Sequence, residues 1–395
     1  MTKPIVQRPH PVARLWRDTR IRSFLIQGFL ILGLLATGGW IIHNTLMNLE
    51  SRGISTGFDF LSQQAGFGII QSLVDYNESH SFGKTFVVGV LNTLLVSVLG
   101  IVVATILGFL IGIARLSSNW LLARLAGAYI EIFRNIPLLL QIFFWYFAVL
   151  AALPHPRQSL ALGDAIFMSV RGIYIPGPVM EGNTSWLIIS YVAVIGICFS
   201  LWYLNRKILN PKGRNIAGLV GWVGLLLVLP LLLGSFIDGG ISWEKPVLKG
   251  FNFTGGIAII PELCALLMAL SIYTAAFIAE IVRAGIESVS KGQKEAATAL
   301  GLKPGVVLRL VIIPQAMRVV IPPLTSQYLN LVKNSSLATA IGYPDLVNVF
   351  AGTTLNQTGQ AVEVISMTMA VYLLISLLVS LFMNIYNKKM SLVER

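Results

Sequence analysis

Few residues of this chain can do chemistry, and most of them stand where charge is costly. Glu131 and Arg134 are three apart, as are Glu280 and Arg283, and all four lie inside or at the ends of long apolar runs. Residues at that spacing share a helix face, so each pair can close as a local ion pair at a helix end. Lys333 stands with Asn330, Asn334, Ser335 and Ser336 in the most polar stretch of any apolar run. The remaining concentration of charge is Lys291, Lys294 and Glu295, within or just before Lys294-Glu295-Ala296-Ala297-Thr298-Ala299-Leu300-Gly301, with Pro314 thirteen residues after the glycine. That segment is compact, charged and helix-forming, yet it lies between two apolar runs. The chemistry it offers is recognition, as a docking element for another protein.

Catalytic constellations are missing from the sequence. No two of His10, His43, His80 and His155 form a ligand pair, and Cys198 and Cys264 both fall in apolar runs with no metal or disulfide pattern. There is no Gly-x-x-x-x-Gly-Lys-Ser/Thr loop, so the chain cannot hydrolyse ATP by itself. An intramembrane enzyme would need paired acids, a Ser/His set or metal ligands at depth, and none is present.

The elements that must position these residues are transmembrane helices. Of 395 residues, 55% are hydrophobic and only 12% charged, against roughly 25% charged in a soluble domain. Eight runs are long enough to cross a bilayer, near 23–46, 87–113, 124–151, 186–205, 215–237, 258–284, 316–342 and 364–387. Pro322, Pro323, Asn330, Lys333 and Asn334 interrupt the seventh, and such breaks are tolerated only inside protein or beside a cavity. With the N-terminus cytoplasmic, 21 of the 29 basic residues fall inside and six outside; Arg134 and Lys333 remain within helices. This split follows the positive-inside rule, and it places both termini in the cytoplasm. The same clustering beside apolar segments removes the nucleic-acid reading of the +12 net charge.

Three long outer segments, 47–86, 152–185 and 238–257, are rich in Gly, Pro, Ser and aromatic residues and read as irregular loops, with room for a contact surface. The organisation is a tail (1–22), an extra helix and loop (23–86), core helices (87–151), an insertion with two peripheral helices (152–257), and further core helices (258–390). Gly108 and Gly112 match a small-xxx-small pattern, a frequent mark of close helix packing and also frequent by chance.

The charged segment has a definite local fold. Ser290 can cap a helix, 291–300 are good helix formers, and Gly301 suits the left-handed cap that ends it. Pro304 fits the first turn of a second helix, and Pro314 would kink that helix. Glu295-Ala296-Ala297, Gly301, Val311, Ile313 and Pro314 resemble the EAA loop of ATP-binding-cassette importer permeases, with Val311 and Ile313 where the pattern has Ile and Leu. Asn92-Thr93-Leu94-Leu95-Val96-Ser97, Glu131-Ile132-Phe133-Arg134-Asn135-Ile136-Pro137, Ala279-Glu280-Ile281-Val282-Arg283 and Lys333-Asn334-Ser335-Ser336 extend the resemblance to permeases of the polar amino-acid class. The extra helices and Asn356-Gln357-Thr358-Gly359-Gln360 are similar to the longer permeases of general L-amino-acid transporters.

The resemblance implies an all-α integral membrane fold: a five-helix type I importer core plus three extra helices, in the bacterial inner membrane. It implies that Lys291, Glu295, Ala296, Ala297, Gly301 and Pro314, in the loop 285–314, couple to a partner ATPase dimer, which holds the ATP and magnesium while this chain binds no cofactor. It implies a second, homologous permease, and the unshared helices favour a heterodimer. It also implies a periplasmic amino-acid-binding protein, an amino-acid substrate and surrounding lipid, with no nucleic acid. Arg134, Asn135, Lys333, Asn334 and Ser335 are the expected lining of the substrate path, Lys333 having a subunit contact as its competing role. A self-sufficient secondary transporter or channel would explain the broken helix and buried charges but not the docking segment.

Overall fold

The computed structural model describes residues 19–51, 56–180, 194 and 241–390. The fold is mostly helical. Its helices are α1 (Thr19–Ser51), α2 (Phe82–Arg115), α3 (Trp120–Asn135), α4 (Leu138–Phe143), α5 (Pro261–Glu287), α6 (Lys291–Ala299), α7 (Pro304–Val307), α8 (Ile313–Asn334), α9 (Leu355–Thr358) and α10 (Ala361–Met390). Five described helical runs are long and apolar enough to cross a membrane, or six if the bent pair α3–α4 is one span. The expected helices at 186–205 and 215–237 lie outside the described residues, Val194 apart.

Two spans differ from their sequence reading. The run at 124–151 is not one straight helix: it turns by 106° between α3 and α4. Ile136 and Pro137 take extended backbone there, as a proline and the residue before it are driven to do. The run at 316–342, expected to break at Pro322 and Pro323, instead carries α8 straight through both. Packing allows this, because Val320, Ile321 and Leu324 are buried on the same stretch and membrane helices tolerate proline where neighbours enclose the freed backbone. The helix changes character later, tightening to 3-10 over Ser335–Ile341 and ending at Gly342 in left-handed conformation.

The chain divides into two compact units, residues 1–90 with 346–373 and residues 91–345 with 374–395. In the larger unit α5 is the central element. Fourteen of its residues are buried, from Leu263 to Gly285. The glycine pair of α2 faces it: a Cβ on Gly108 would lie 2.6 Å from Ile278 Cβ, and one on Gly112 would lie 2.7 Å from the Ala279 carbonyl. On another side Gly285 admits Val320 of α8, whose Cγ2 would sit 2.3 Å from an added Cβ. Small residues let backbones approach in this way, and in lipid close packing replaces the hydrophobic drive between helices. Tyr129 of α3 donates to the Ile272 carbonyl at 2.7 Å, and Thr105 meets Tyr328 of α8 at 2.8 Å.

The described residues of the outer segments 152–185 and 238–257, with the two that follow, are not irregular. They form eight short strands, so the fold is not wholly α. Strands β1 (Leu160–Leu162), β2 (Ile166–Ser169), β3 (Gly172–Ile175) and β8 (Ile257–Ile259) make an antiparallel sheet in that order. Strands β4 (Gly177–Met180) with β5 (Ile241–Glu244), and β6 (Val247–Lys249) with β7 (Asn252–Thr254), make two ribbons. Tyr174 and Phe167 both pack on Phe253, at 4.9 and 4.6 Å between centroids. Runs of three or four residues are too short to show strand alternation in the sequence.

In the smaller unit Phe60, Ala65, Phe82, Leu346, Phe350 and Val364 form a buried core. Glu363 accepts from the Gly57 amide at 2.8 Å. The α1 side chains are exposed along the described span, as suits a helix solvated by lipid.

The glycine contacts give a direct test. Gly112→Val should destabilise the detergent-purified protein by about 1–3 kcal/mol, the usual cost of overpacking, whereas Gly28→Ala, with nothing within 4 Å, should leave its thermal midpoint where it was.

Candidate functional site

The docking segment folds as a helix, a glycine turn and a second helix. Gly301 has φ +76°, its amide bonds the Thr298 carbonyl at 2.9 Å, and Leu302 N–H reaches back to Ala297 O at 3.3 Å. These bonds satisfy carbonyls that the end of α6 leaves over. Ser290 stands at the cap position, but its side chain makes no cap bond. The Gln293 amide it would serve is already taken by the Ser290 carbonyl at 3.1 Å. Ala297 and Val307 are the buried residues of α6 and α7, which pack on one another. Lys291, Lys294, Glu295, Ala296 and Gly301 are exposed, and Leu300 at the tip is 80% exposed. An apolar tip ringed by charge has the composition of a protein contact. Beyond α7 the chain makes a π turn over Leu308–Ile312 before Pro314, which begins α8 as a half-buried residue.

The membrane-depth charges are arranged differently from their spacing. Arg283 donates from Nε and Nη2 to both Glu280 oxygens, at 3.1 and 2.6 Å, and from Nη1 to Glu287. The expected Glu131–Arg134 pair is not formed. Arg134 lies over the Phe277 ring of α5 instead, 5.1 Å from its centroid. Arg134 is in the last turn of α3, and α3 packs along α5. Glu131 is exposed and contributes its backbone carbonyl, which accepts from Asn135 Nδ2 at 2.7 Å. One half of the Asn135 amide is therefore committed to the end of α3.

Lys333 is exposed in the last turn of α8 and makes no ion pair among the described residues. A cation there is favoured by the helix dipole. Asn334 is half-buried beside it. Ser335 is fully buried, and its hydroxyl donates to the Val332 carbonyl at 2.7 Å. Arg134 and Asn135 stand on α3, and Lys333 and Asn334 on α8, all in the larger unit.

Sequence reasoning missed a buried polar joint in this unit. Asn92 Nδ2 donates to the Pro344 carbonyl at 2.8 Å, and the Tyr343 hydroxyl donates to the Asn92 carbonyl at 3.1 Å. Asp345 beside them is completely buried. The signal was present as an Asn and an Asp next to apolar runs, since polar groups at such depth are rarely idle. Tyr146 likewise bonds Glu262 at the start of α5, at 2.9 Å.

Apolar spans, a close-packed helical core and an exposed charged helical hairpin define a multi-pass membrane protein built to work against a partner. The chain belongs to the family described as binding-protein-dependent transport system inner membrane component, whose pattern matches residues 100–392. It is 55% identical over 375 residues to a putative amino-acid ABC transporter permease protein, YhdX, of Escherichia coli K12, covering 95% of each chain. It is 48% identical over 384 residues to the general L-amino acid transport system permease protein AapQ of Rhizobium johnstonii, covering 96% of this chain and 94% of that one. To the glutamate/glutamine/aspartate/asparagine transport system permease protein BztB of Rhodobacter capsulatus it is 41% identical over 407 residues, covering 96% of both.

Because the Ser335 hydroxyl serves only the backbone, Ser335→Ala should leave transport KM within about twofold, the loss being one local hydrogen bond. A large rise in KM, measured by initial uptake rates in proteoliposomes, would show that the hydroxyl itself meets the substrate.

Proposed function

We propose that this chain is the transmembrane permease subunit of an ATP-driven amino-acid importer in the bacterial inner membrane, with both termini cytoplasmic. The observation that carries this reading is the 291–314 hairpin: a stiff, exposed, glycine-clamped element continuous with a spanning helix. Its place is against an ATPase dimer that binds the ATP and magnesium, and Lys291, Glu295, Ala296, Ala297, Gly301 and Pro314 form or frame the contact. Rigid-body motion of the ATPases then reaches α8 through the hairpin. A second, homologous permease completes the pathway as a heterodimer, and a periplasmic binding protein delivers the amino acid. The relatives' names support amino acids as the substrate class.

Arg134, Asn135, Lys333 and Asn334 line the path. Cationic heads with neighbouring amides suit the carboxylate of a zwitterion, and exposed residues of α3 and the last turn of α8 are free to supply them. Ser335, next to Asn334, is the fifth member of the proposed lining, its hydroxyl on the Val332 carbonyl in this structure. Glu280 and Arg283 are a structural brace at the end of α5; with side chains about a third exposed, such a pair contributes little to stability by itself.

Purified gently from its native membrane, the chain should carry an ATPase and a second permease with it. In that complex Gly301→Val, which forces a β-branched residue into a left-handed turn at a cost of roughly 1–2 kcal/mol, should uncouple ATP hydrolysis from uptake. A self-sufficient carrier would be indifferent to it. Replacing Lys333 by Met should abolish uptake while the complex still assembles; unchanged uptake kinetics would sink the path assignment.

A further inference from the structure

The bend between α3 and α4 strands backbone groups in an apolar setting. Were the helix continuous, residue 137 would donate to the Phe133 carbonyl, but Pro137 has no N–H to give. Ile136, extended at φ −93° and ψ 128°, takes its own carbonyl out of the helical ladder. Within a membrane neither carbonyl can be left to water. Gln141 serves both: its Nε2 donates to Phe133 O at 3.1 Å and to Ile136 O at 3.0 Å. The spacing explains how. A helical side chain leans back over the turn that precedes it, so a residue four after the proline is set over the bend.

The orientation of this amide follows from its surroundings, since a flip would place Oε1 against two carbonyl oxygens. Oε1 then has no donor: Gln141 is only 4% exposed, and this oxygen is buried without a hydrogen-bond partner. An apolar side chain of the same size would avoid that cost, so the donor half is what the position requires. The next residue after Phe133 is Arg134, which lies over the Phe277 ring of α5.

We propose that Gln141 is the positioning residue of this elbow: its amide sets the 106° bend and thereby holds Arg134 on the Phe277–Glu280 face of α5, in place for the substrate carboxylate. Only the last clause rests on the path proposed above.

The test uses the complete transporter in lipid, with Cys198 and Cys264 replaced by Ala and spin labels on Leu125→Cys and Phe147→Cys, both exposed positions flanking the bend. Pulsed dipolar spectroscopy should give one narrow distance for the parent. Gln141→Met, of similar length but without donors, should broaden or shift it. Uptake should fall roughly tenfold while ATP turnover changes less than about twofold, as expected for losing two hydrogen bonds that set geometry. Gln141→Glu keeps the volume but, protonated in this apolar setting, has one donor for two carbonyls, so it should shift the distance in the same sense; if the Met variant does not assemble, the Glu variant decides alone. An unchanged distance in the assembled variants overturns the proposal. Distances that respond in a complex whose parent imports no amino acid would uphold the elbow and refute the import reading.

Discussion

Every peptide group within the bilayer must find its partner in the protein, because lipid offers none. Most of the departures from regular helix in this chain answer to that constraint. At Pro137 the lost donor is replaced from outside the backbone, by the Gln141 amide. At Pro314, which cannot serve Leu310 O, the chain re-registers through a π turn in which the Ile313 amide bonds Leu308 O. At Asn334 the helix tightens to 3-10 and closes on Gly342, whose amide bonds Thr339 O at 3.2 Å. Different local remedies produce different mechanics: a fixed elbow, a re-registered joint and a sharp end.

The second constraint is approach distance. Lipid tails are as apolar as leucine, so helices gain little by merely hiding hydrophobic side chains from one another. Gly108, Gly112 and Gly285 let α2 and α8 come against α5 until backbone and β-carbons touch. Close approach fixes α5, and α5 in turn presents Phe277, Glu280 and Arg283 along one face, three residues apart. The Arg134–Phe277 contact depends on helix packing, whereas Glu280, Arg283 and Glu287 pair along α5 itself.

How much of this was legible depended on length scale. The long spans were legible because twenty apolar residues have few other uses. The hairpin was legible because Gly301 and Pro304 are each nearly diagnostic of their positions. The glycine pair of α2 was visible as spacing but undecidable, since its partner helix lies far along the chain. The sheet was invisible, because three-residue strands such as Leu160–Leu162 carry no period of their own and are defined by Phe167, Tyr174 and Phe253 packing together. Charge partners were the least legible. Glu131–Arg134 and Glu280–Arg283 have identical spacing, yet only the second closes, because α3 packs on α5 and Arg134 lies over Phe277 there. Local spacing states which contacts a helix permits; tertiary geometry selects among them.

The hairpin and the elbow are opposite solutions to moving force through a membrane protein. From Lys291 to Val307 the hairpin has a capped turn and a packed seam at Ala297 and Val307, so it moves as a body. The π turn at Leu308–Ile312 then interrupts the regular ladder just before α8. Such a turn can return to α-helical register by shedding one residue of offset, and π turns recur at working sites in helices for this reason. A displacement of the hairpin is therefore passed to α8 through a stretch whose hydrogen-bond register is offset by one residue. At the elbow the reverse holds. There both stranded carbonyls share one side-chain donor, so bending it further or straightening it breaks two bonds together. Compliance sits where force enters and stiffness where charge must be aimed, and each is written by a single proline and what the chain supplies around it.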